Sequence, residues 1–164
     1  IVTLRFSNLY GPAPCHGPRH GWLTWFCIAA ALGREVEIQG GGRQTRDMLH
    51  SDDINEALLA ALQHADRLAG RVFNVGGGAP NVISVGAAVE HLRNLHSVHV
   101  GSPALKVTER PERRRHEDDR FVTDHRAFTA ETGWSPTVSP FKGAEGVYEW
   151  ALRNAESLAA VYPC

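Results

Sequence analysis

The segment Gly40-Gly41-Gly42-Arg43-Gln44-Thr45-Arg46-Asp47 has the strongest chemical character in the sequence. Consecutive glycines let main-chain N–H groups approach a ligand closely, and Arg43 and Arg46 add forked, permanently charged donors. A diphosphate suits such a loop; a hairpin turn with solvated arginines suits the same residues. No Lys-Ser or Lys-Thr follows, so the segment is not a P-loop. A second glycine run, Gly76-Gly77-Gly78, follows the apolar stretch Val72–Val75 but fails as a dinucleotide fingerprint. Asn81 stands three positions beyond Gly78, and the next helix opens on Ser84, so a strand-to-helix turn is the better reading.

Other reactive side chains are sparse. Cys15, His16 and His20 lack a second ligand pair at zinc spacing, and no metal site is assigned. The mixed run Arg113 to Asp119 reads as a solvated loop, with a single arginine able to reach a phosphate as the alternative. Its basic part is short, acids follow at once and no aromatics are interleaved, which argues against nucleic-acid binding. No Ser/His/Asp order is defensible, and there is no Gly-x-Ser-x-Gly elbow. No catalytic group can be assigned.

The elements that must position these residues follow from periodicity. Val2, Leu4 and Phe6 alternate with Thr3, Arg5 and Ser7 as in a strand, which Asn8-Leu9-Tyr10-Gly11-Pro12 ends. Trp22 to Leu32 reads as a helix stopped by Gly33, and Glu35–Ile38 as a short strand. Ser51 is the expected cap of a helix with Asp52 and Asp53 in its first turn. Its expected buried stripe is Ile54, Ala57, Leu58, Ala61, Leu62 and Ala65. Arg71–Val75 is a strand, and Ser84 caps a helix with Val85, Ala88, Val89 and Leu92 inside. Val98 to Val107 reads as extended with a turn at Gly101-Ser102-Pro103, and Arg110 to Arg120 as a charged loop. A short helix ends at Gly133. Ser139-Pro140 begins the last helix, with the stripe Phe141, Ala144, Val147, Tyr148, Ala151, Leu152 and Ala155. Strands alternating with helices, and no repeat or linker, imply one α/β unit over residues 1–164.

Composition agrees. The 164 residues are 43% hydrophobic and 21% charged, enough for a core, and the net charge of -1 indicates no general attraction to nucleic acid or an acidic membrane. No apolar run is long enough to span a bilayer, so no membrane partner is expected. The 3 cysteines form no disulfide framework, which points to the cytoplasm. Ile1 opens directly into a strand, as though the fold were already in progress.

Several segments together resemble the NAD-dependent nucleotide-sugar epimerases and dehydratases, the extended short-chain dehydrogenases. Leu4-Arg5-Phe6-Ser7-Asn8-Leu9-Tyr10-Gly11-Pro12 is similar to their Arg-x-x-Asn-x-Tyr-Gly-Pro segment. Gly33–Ile38, Gly40–His50 and Asp52-Asp53 resemble their Ile-x-Gly-Asp-Gly-x-Gln-x-Arg-Asp-x-x-His-Val-x-Asp stretch. Val72–Gly77 and Gly133-Trp134-Ser135-Pro136 match two later landmarks in order. The wording around Gly21–Phe26 and Arg43–His50 looks most like CDP-paratose (CDP-tyvelose) 2-epimerases, with UDP-glucose 4-epimerases and dTDP-glucose dehydratases next.

The resemblance implies the C-terminal part of an extended Rossmann-type α/β dehydrogenase: the last sheet strand plus the small substrate-binding lobe. It implies that Asn8 contacts a nucleotide diphosphate-sugar, that Leu9 lies near the nicotinamide of NAD, that Ile38 and Gln39 line the base and that Arg46 holds a phosphate. Counting back from Asp124, a second phosphate arginine falls at Arg114, while Arg110-Pro111 is followed by Glu112 rather than Gly-Asp. Gly41 replaces the usual Asp, and Ala13-Pro14 replaces Arg-Gln. The family's NAD turn and Tyr-x-x-x-Lys pair have no counterpart, since none of Tyr10, Tyr148 and Tyr162 has a Lys four residues on. NAD is therefore expected to be held mainly by an N-terminal half that this chain lacks, leaving the chain inactive alone and homodimeric when full length. A 4,6-dehydratase portion and a non-catalytic nucleotide-sugar-binding remnant are the alternatives. With the edge of Val2–Phe6 open, the isolated chain is expected to self-associate.

Overall fold

Alternating apolar residues set the first strand, and the computed structural model, which describes residues 1–12, 21–100, 105–112 and 118–162, places a second strand directly after it. In order the elements are β1 (Thr3–Phe6), β2 (Asn8–Tyr10), α1 (Trp22–Ala31), β3 (Val36–Gln39), β4 (Thr45–His50), α2 (Ser51–Gln63), α3 (Ala65–Leu68), β5 (Val72–Val75), β6 (Val82–Ser84), α4 (Val85–Val100), β7 (Val107–Arg110), β8 (Arg120–Phe121), α5 (Arg126–Thr132), α6 (Pro140–Arg153) and α7 (Ala155–Val161). The architecture is α/β, as the alternation predicts.

Parallel pairing dominates. β1 lies along β5 with Leu4 opposite Phe73, β3 along β7 with Ile38 opposite Glu109, and β2 along β4 with Asn8 opposite Met48. β6 joins Thr45–Asp47 of β4 antiparallel, and β8 pairs with Thr45 and Arg46 in parallel. Side chains alternate across a strand, so the β2/β4 layer separates two cores. Tyr10 and Met48 enter one with α1, α4 and α6 residues such as Leu23, Leu92 and Val147. Leu49 enters the other with Phe73, Phe128 and Trp134, and Leu9 packs against it.

Several expectations need correction. Asn8–Tyr10 does not end the strand region but forms β2. Thr45–His50 is a strand that periodicity did not signal, because four consecutive residues, Asp47 to His50, are buried on both faces. His50, not Ser51, caps α2: its Nδ1 accepts the Asp52 N–H at 3.2 Å. Leu58 and Leu62 leave the predicted stripe, at 49% and 73% exposed, with Leu59 beside them at 50%. Asp53 and Ala57 are the buried residues of that helix. Val98–Val100 continues α4 instead of extending, and β6 intervenes between the second glycine run and α4. Phe141 is exposed while Ala144, Val147, Tyr148 and Ala151 are buried. α6 is followed by α7. Other readings stand: Ser84 Oγ accepts the Ala87 N–H at 3.0 Å, and Gly33 and Gly133 adopt positive φ at the two helix ends.

Candidate functional site

β4 is the strand on which the site is built. Its edges are occupied by β2, β6 and β8, which fixes the direction of each side chain. Met48 and Leu49 point into opposite cores; by the same alternation Arg46 shares the face of Met48, and Asp47 that of Leu49. Asn8, opposite Met48 in the register, shares the face of Tyr10. Two of the sequence-predicted residues, Asn8 and Arg46, are thereby brought together from 38 positions apart.

Arg46 lines two cavities. The larger, about 390 Å³, has an apolar side formed by Trp22, Trp25, Phe26 and Val85. Ile38 and Gln39 line it too, with Glu35, Glu37 and Gln44 as further polar groups. The smaller, about 300 Å³, is lined by Phe6, Ser7, Asn8, Arg46, Asp118 and Phe121. The Arg46 guanidinium donates to the Thr45 carbonyl at 2.8 Å, and the Asn8 amide to the Asp47 carbonyl at 3.4 Å. A planar group in the first cavity and a polyhydroxyl group in the second would be joined beside a cation.

The surrounding hydrogen bonds hold this frame. Gln44 is buried and its amide donates to the Gln39 carbonyl at 3.1 Å, tying β3 to the start of β4. Arg110 pairs through Nε with Glu37 at 2.7 Å, and this carboxylate raises the Arg110 pKa above its ordinary value. In the core on the Met48 face, burial, with smaller help from Asp53, pushes the Tyr10 phenol up, and burial does the same to the Cys27 thiol. Both are neutral core groups, not nucleophiles.

The glycine runs act differently from the loop chemistry considered above. None of Gly40–Gly42 lines either cavity, although all three take positive φ. A Cβ on Gly42 would lie 3.0 Å from the Gly86 main-chain nitrogen, so this glycine permits a close approach of α4. Arg43 is exposed and lines neither cavity; Arg46 is the arginine that reaches them. In the second run, the Gly78 N–H donates to the buried Asp47 carboxylate at 3.0 Å, and Gly77 faces the Met48 carbonyl. Those glycines serve packing beneath β4. Leu9 lies on the face opposite Asn8 and lines neither cavity. Arg114 and the Cys15, His16, His20 group lie outside the described residues; among the described residues no cluster of metal-ligating side chains occurs. Glu37, Trp22 and Phe121 were not singled out from the sequence. The alternation of Glu35, Glu37 and Gln39 with Val36 and Ile38 was the available signal.

A sequence model described as the NAD dependent epimerase/dehydratase family matches residues 1–76, which hold β1 to β5. The CDP-paratose 2-epimerase of Salmonella typhi is 30% identical over 154 residues, covering 91% of this chain and 44% of that protein. Over residues 1–76 the chain is therefore similar to the NAD dependent epimerase/dehydratase family. It is also similar to the dTDP-glucose 4,6-dehydratase of Xanthomonas campestris, 32% identical over 161 residues, covering 94% of this chain and 43% of that enzyme. An epimerase structure from Methanothermobacter thermautotrophicus superposes with a TM-score of 0.80 at 25% identity, over 97% of this chain and 45% of that one. The chain thus spans less than half the length of these proteins. No helix among the described residues is long and apolar enough to cross a membrane.

Proposed function

We propose that residues 1–164 form the substrate-binding, C-terminal unit of an NAD-dependent nucleotide-sugar epimerase. The observation that carries this is the position of Arg46, shared by two cavities with Asn8 beside it. Arg46 and Asn8 hold the diphosphate, Ile38 and Gln39 line the base, and the smaller cavity takes the sugar. Arg114 supplies a second phosphate contact. The similarity to the NAD dependent epimerase/dehydratase family over residues 1–76, and to a CDP-sugar epimerase, supports the same assignment.

NAD, when bound, takes a hydride from a sugar carbon and returns it, which allows that carbon to invert. This chain offers the cofactor one apolar contact, Leu9, half-buried in β2. Its glycine turn at Gly76–Gly78 does not suit a pyrophosphate, because the Gly78 N–H is already directed at Asp47. A preceding segment of a longer protein therefore holds NAD and supplies the proton-transfer groups. The exposed Leu58, Leu59 and Leu62 and the two-stranded parallel β1–β5 sheet suit such a layer, since parallel sheets are covered on both faces. On this reading the longer protein is a cytoplasmic homodimer, and the chain alone binds without turning over. A 4,6-dehydratase is the second reading, favoured by the similarity to the Xanthomonas enzyme.

Calorimetric titration of the chain with CDP- and UDP-sugars tests the binding role. Arg46→Ala is expected to weaken binding by about 1.5–3 kcal/mol, the range for a charge-assisted hydrogen bond. No heat at millimolar ligand, or an unchanged affinity in the variant, removes Arg46 and the reading with it. A product assay on the chain joined to an NAD-binding half separates epimerase from dehydratase.

A further inference from the structure

The last described turn of the chain touches both walls of the larger cavity. One wall is α1, through Trp22, Trp25 and Phe26; the other is Glu35 and the strand β3 that follows it. α7 lies outside this pair of walls. Its Leu158 is 2% exposed and packs with Ile28 of α1 and Ala151 of α6. Tyr162 ends the helix, and its N–H donates to the Leu158 carbonyl at 2.9 Å. The Tyr162 ring meets the Trp25 indole edge to face, with centroids 5.5 Å apart and planes at 63°. The Tyr162 carbonyl accepts from the Arg34 guanidinium. Arg34 precedes Glu35 in the connection between α1 and β3. It follows Gly33, which takes φ 65° with nothing within 4 Å of a Cβ. Tyr162 itself does not line the cavity, so it meets both walls from behind.

We propose that Tyr162 is a positioning residue for the larger cavity: it holds Trp25 and the Arg34–Glu35 connection in place, so that ligand binding and α7 docking reinforce each other. The inference rests on the reading of the chain as a nucleotide-sugar-binding unit, which puts a planar group against Trp25. Trp25 is half-buried between the cavity and the α7 side. A ligand stacked on such a side chain must remove the rotamer freedom it retains. Docked Tyr162 removes part of that freedom beforehand, and a bound ring steadies Trp25 for Tyr162 in return. Arg34 acts on the other wall. Gly33 gives the connection no side chain to pack, and the bond to the Tyr162 carbonyl restrains it beside Glu35. The coupling is reciprocal: the factor by which a docked tail tightens the ligand is the factor by which the ligand favours docking. One edge-to-face aromatic contact sets its scale at about fivefold.

The experiment joins calorimetric titration with hydrogen-exchange mass spectrometry on the 164-residue chain, with CDP-glucose and UDP-glucose as probes. At saturation with whichever binds more tightly, the α7 amides are expected to exchange about fivefold more slowly. α7 is terminal and opens locally, so a ligand that only raised global stability would leave these amides unchanged. Tyr162→Ala is expected to weaken the same ligand about fivefold and to abolish the slowing in α7. Tyr162→Phe, which keeps the ring and the main-chain carbonyl, should restore both. The exchange measurement on the native chain needs no variant, so it decides the matter even if Tyr162→Ala loosens the fold. Unchanged α7 exchange at saturating ligand overturns the inference, as does an unchanged affinity in Tyr162→Ala. Either result, with affinity still lost in Arg46→Ala, removes Tyr162 alone and leaves the binding reading standing. Absence of binding by either nucleotide sugar at millimolar concentration overturns the binding reading and this inference together.

Discussion

Asp53→Ala should unlock the segment that closes the second core. Asp53 is 2% exposed in the first turn of α2. Its Oδ1 accepts the Thr137 N–H and hydroxyl, each at 2.9 Å, and its Oδ2 accepts the Val138 N–H at 3.1 Å. Truncation strands two main-chain donors and one hydroxyl. Each stranded donor costs roughly 1–3 kcal/mol, and the lower end applies here because the Thr137 side is open to water and the hydroxyl can turn. Loss of a carboxylate from the helix N-terminus adds about 0.3–1 kcal/mol. The sum is about 2–4 kcal/mol, a large share of the ~5–15 kcal/mol stability of a domain. At ~2–4 °C per kcal/mol it lowers Tm by about 5–15 °C. The Trp134 indole bond, 3.1 Å to the Asp53 main-chain carbonyl, survives the substitution, so the effect belongs to the carboxylate. Urea unfolding followed by circular dichroism measures it, with Asp53→Asn, which keeps one acceptor oxygen, expected to lose about half as much. A Asp53→Ala midpoint within about 1 kcal/mol of the native chain, or equal losses in the two variants, refutes the clamp.

Two further outcomes follow from surface groups. Arg71 holds the Glu131 carboxyl below the usual carboxylate range through a 2.7 Å pair, and Arg126 lowers Asp124 in the same way. Groups with depressed folded-state values contribute stability above their unfolded pKa and lose it as pH falls through the folded value. Stability should therefore decline below about pH 4, less steeply in Arg71→Ala, as thermal melts between pH 3 and pH 6 would register. Leu58, Leu59 and Leu62 form one exposed apolar face, so the chain should associate as its concentration rises, and Leu59→Lys with Leu62→Glu should return it to monomer in sedimentation velocity. A native chain that stays monomeric removes that face as the cause.

The legible part of the fold was the part governed by local rules. Ser84 and the Ser139-Pro140 pair start α4 and α6 where cap chemistry says they should, and Gly33 and Gly133 stop their helices. β4 was invisible because a strand buried on both faces has no alternation, and Asp47 is tolerated inside it by accepting the distant Gly78 N–H. The α2 leucines misled for a related reason: helical spacing gives a stripe, but Asp53 rather than Leu58 turns inward because its carboxylate has three donors waiting. At the site, Arg46 was suggested by the charge of its glycine-rich segment and by resemblance, and Asn8 by resemblance alone. Their common face is a consequence of β2–β4 register, which no local pattern carries. Glu37 was passed over as the polar half of an alternating strand, although it lines the larger cavity.

The two glycine runs supply a test that separates ligand loops from packing turns. A Cβ on Gly77 would lie 2.1 Å from the Met48 carbonyl oxygen, and main-chain atoms cannot swing aside as a side chain can. Met48 pairs with Asn8 and stands two residues beyond Arg46, so relief of the contact moves both site residues together. Gly77→Ala should cost about 1–3 kcal/mol, the range for overpacking, and weaken nucleotide binding in step. Gly146 is the control: it is an exposed α6 residue with nothing within 4 Å of a Cβ, so Gly146→Ala should stabilise by about 0.5–1 kcal/mol and leave binding alone. If the Gly76–Gly78 turn instead faced a dinucleotide, Gly77→Ala would keep native stability and lose only cofactor binding in the longer protein. That separation of the two readouts would place a ligand against the turn in spite of Asp47 and Met48, and would reverse the assignment of these glycines to packing.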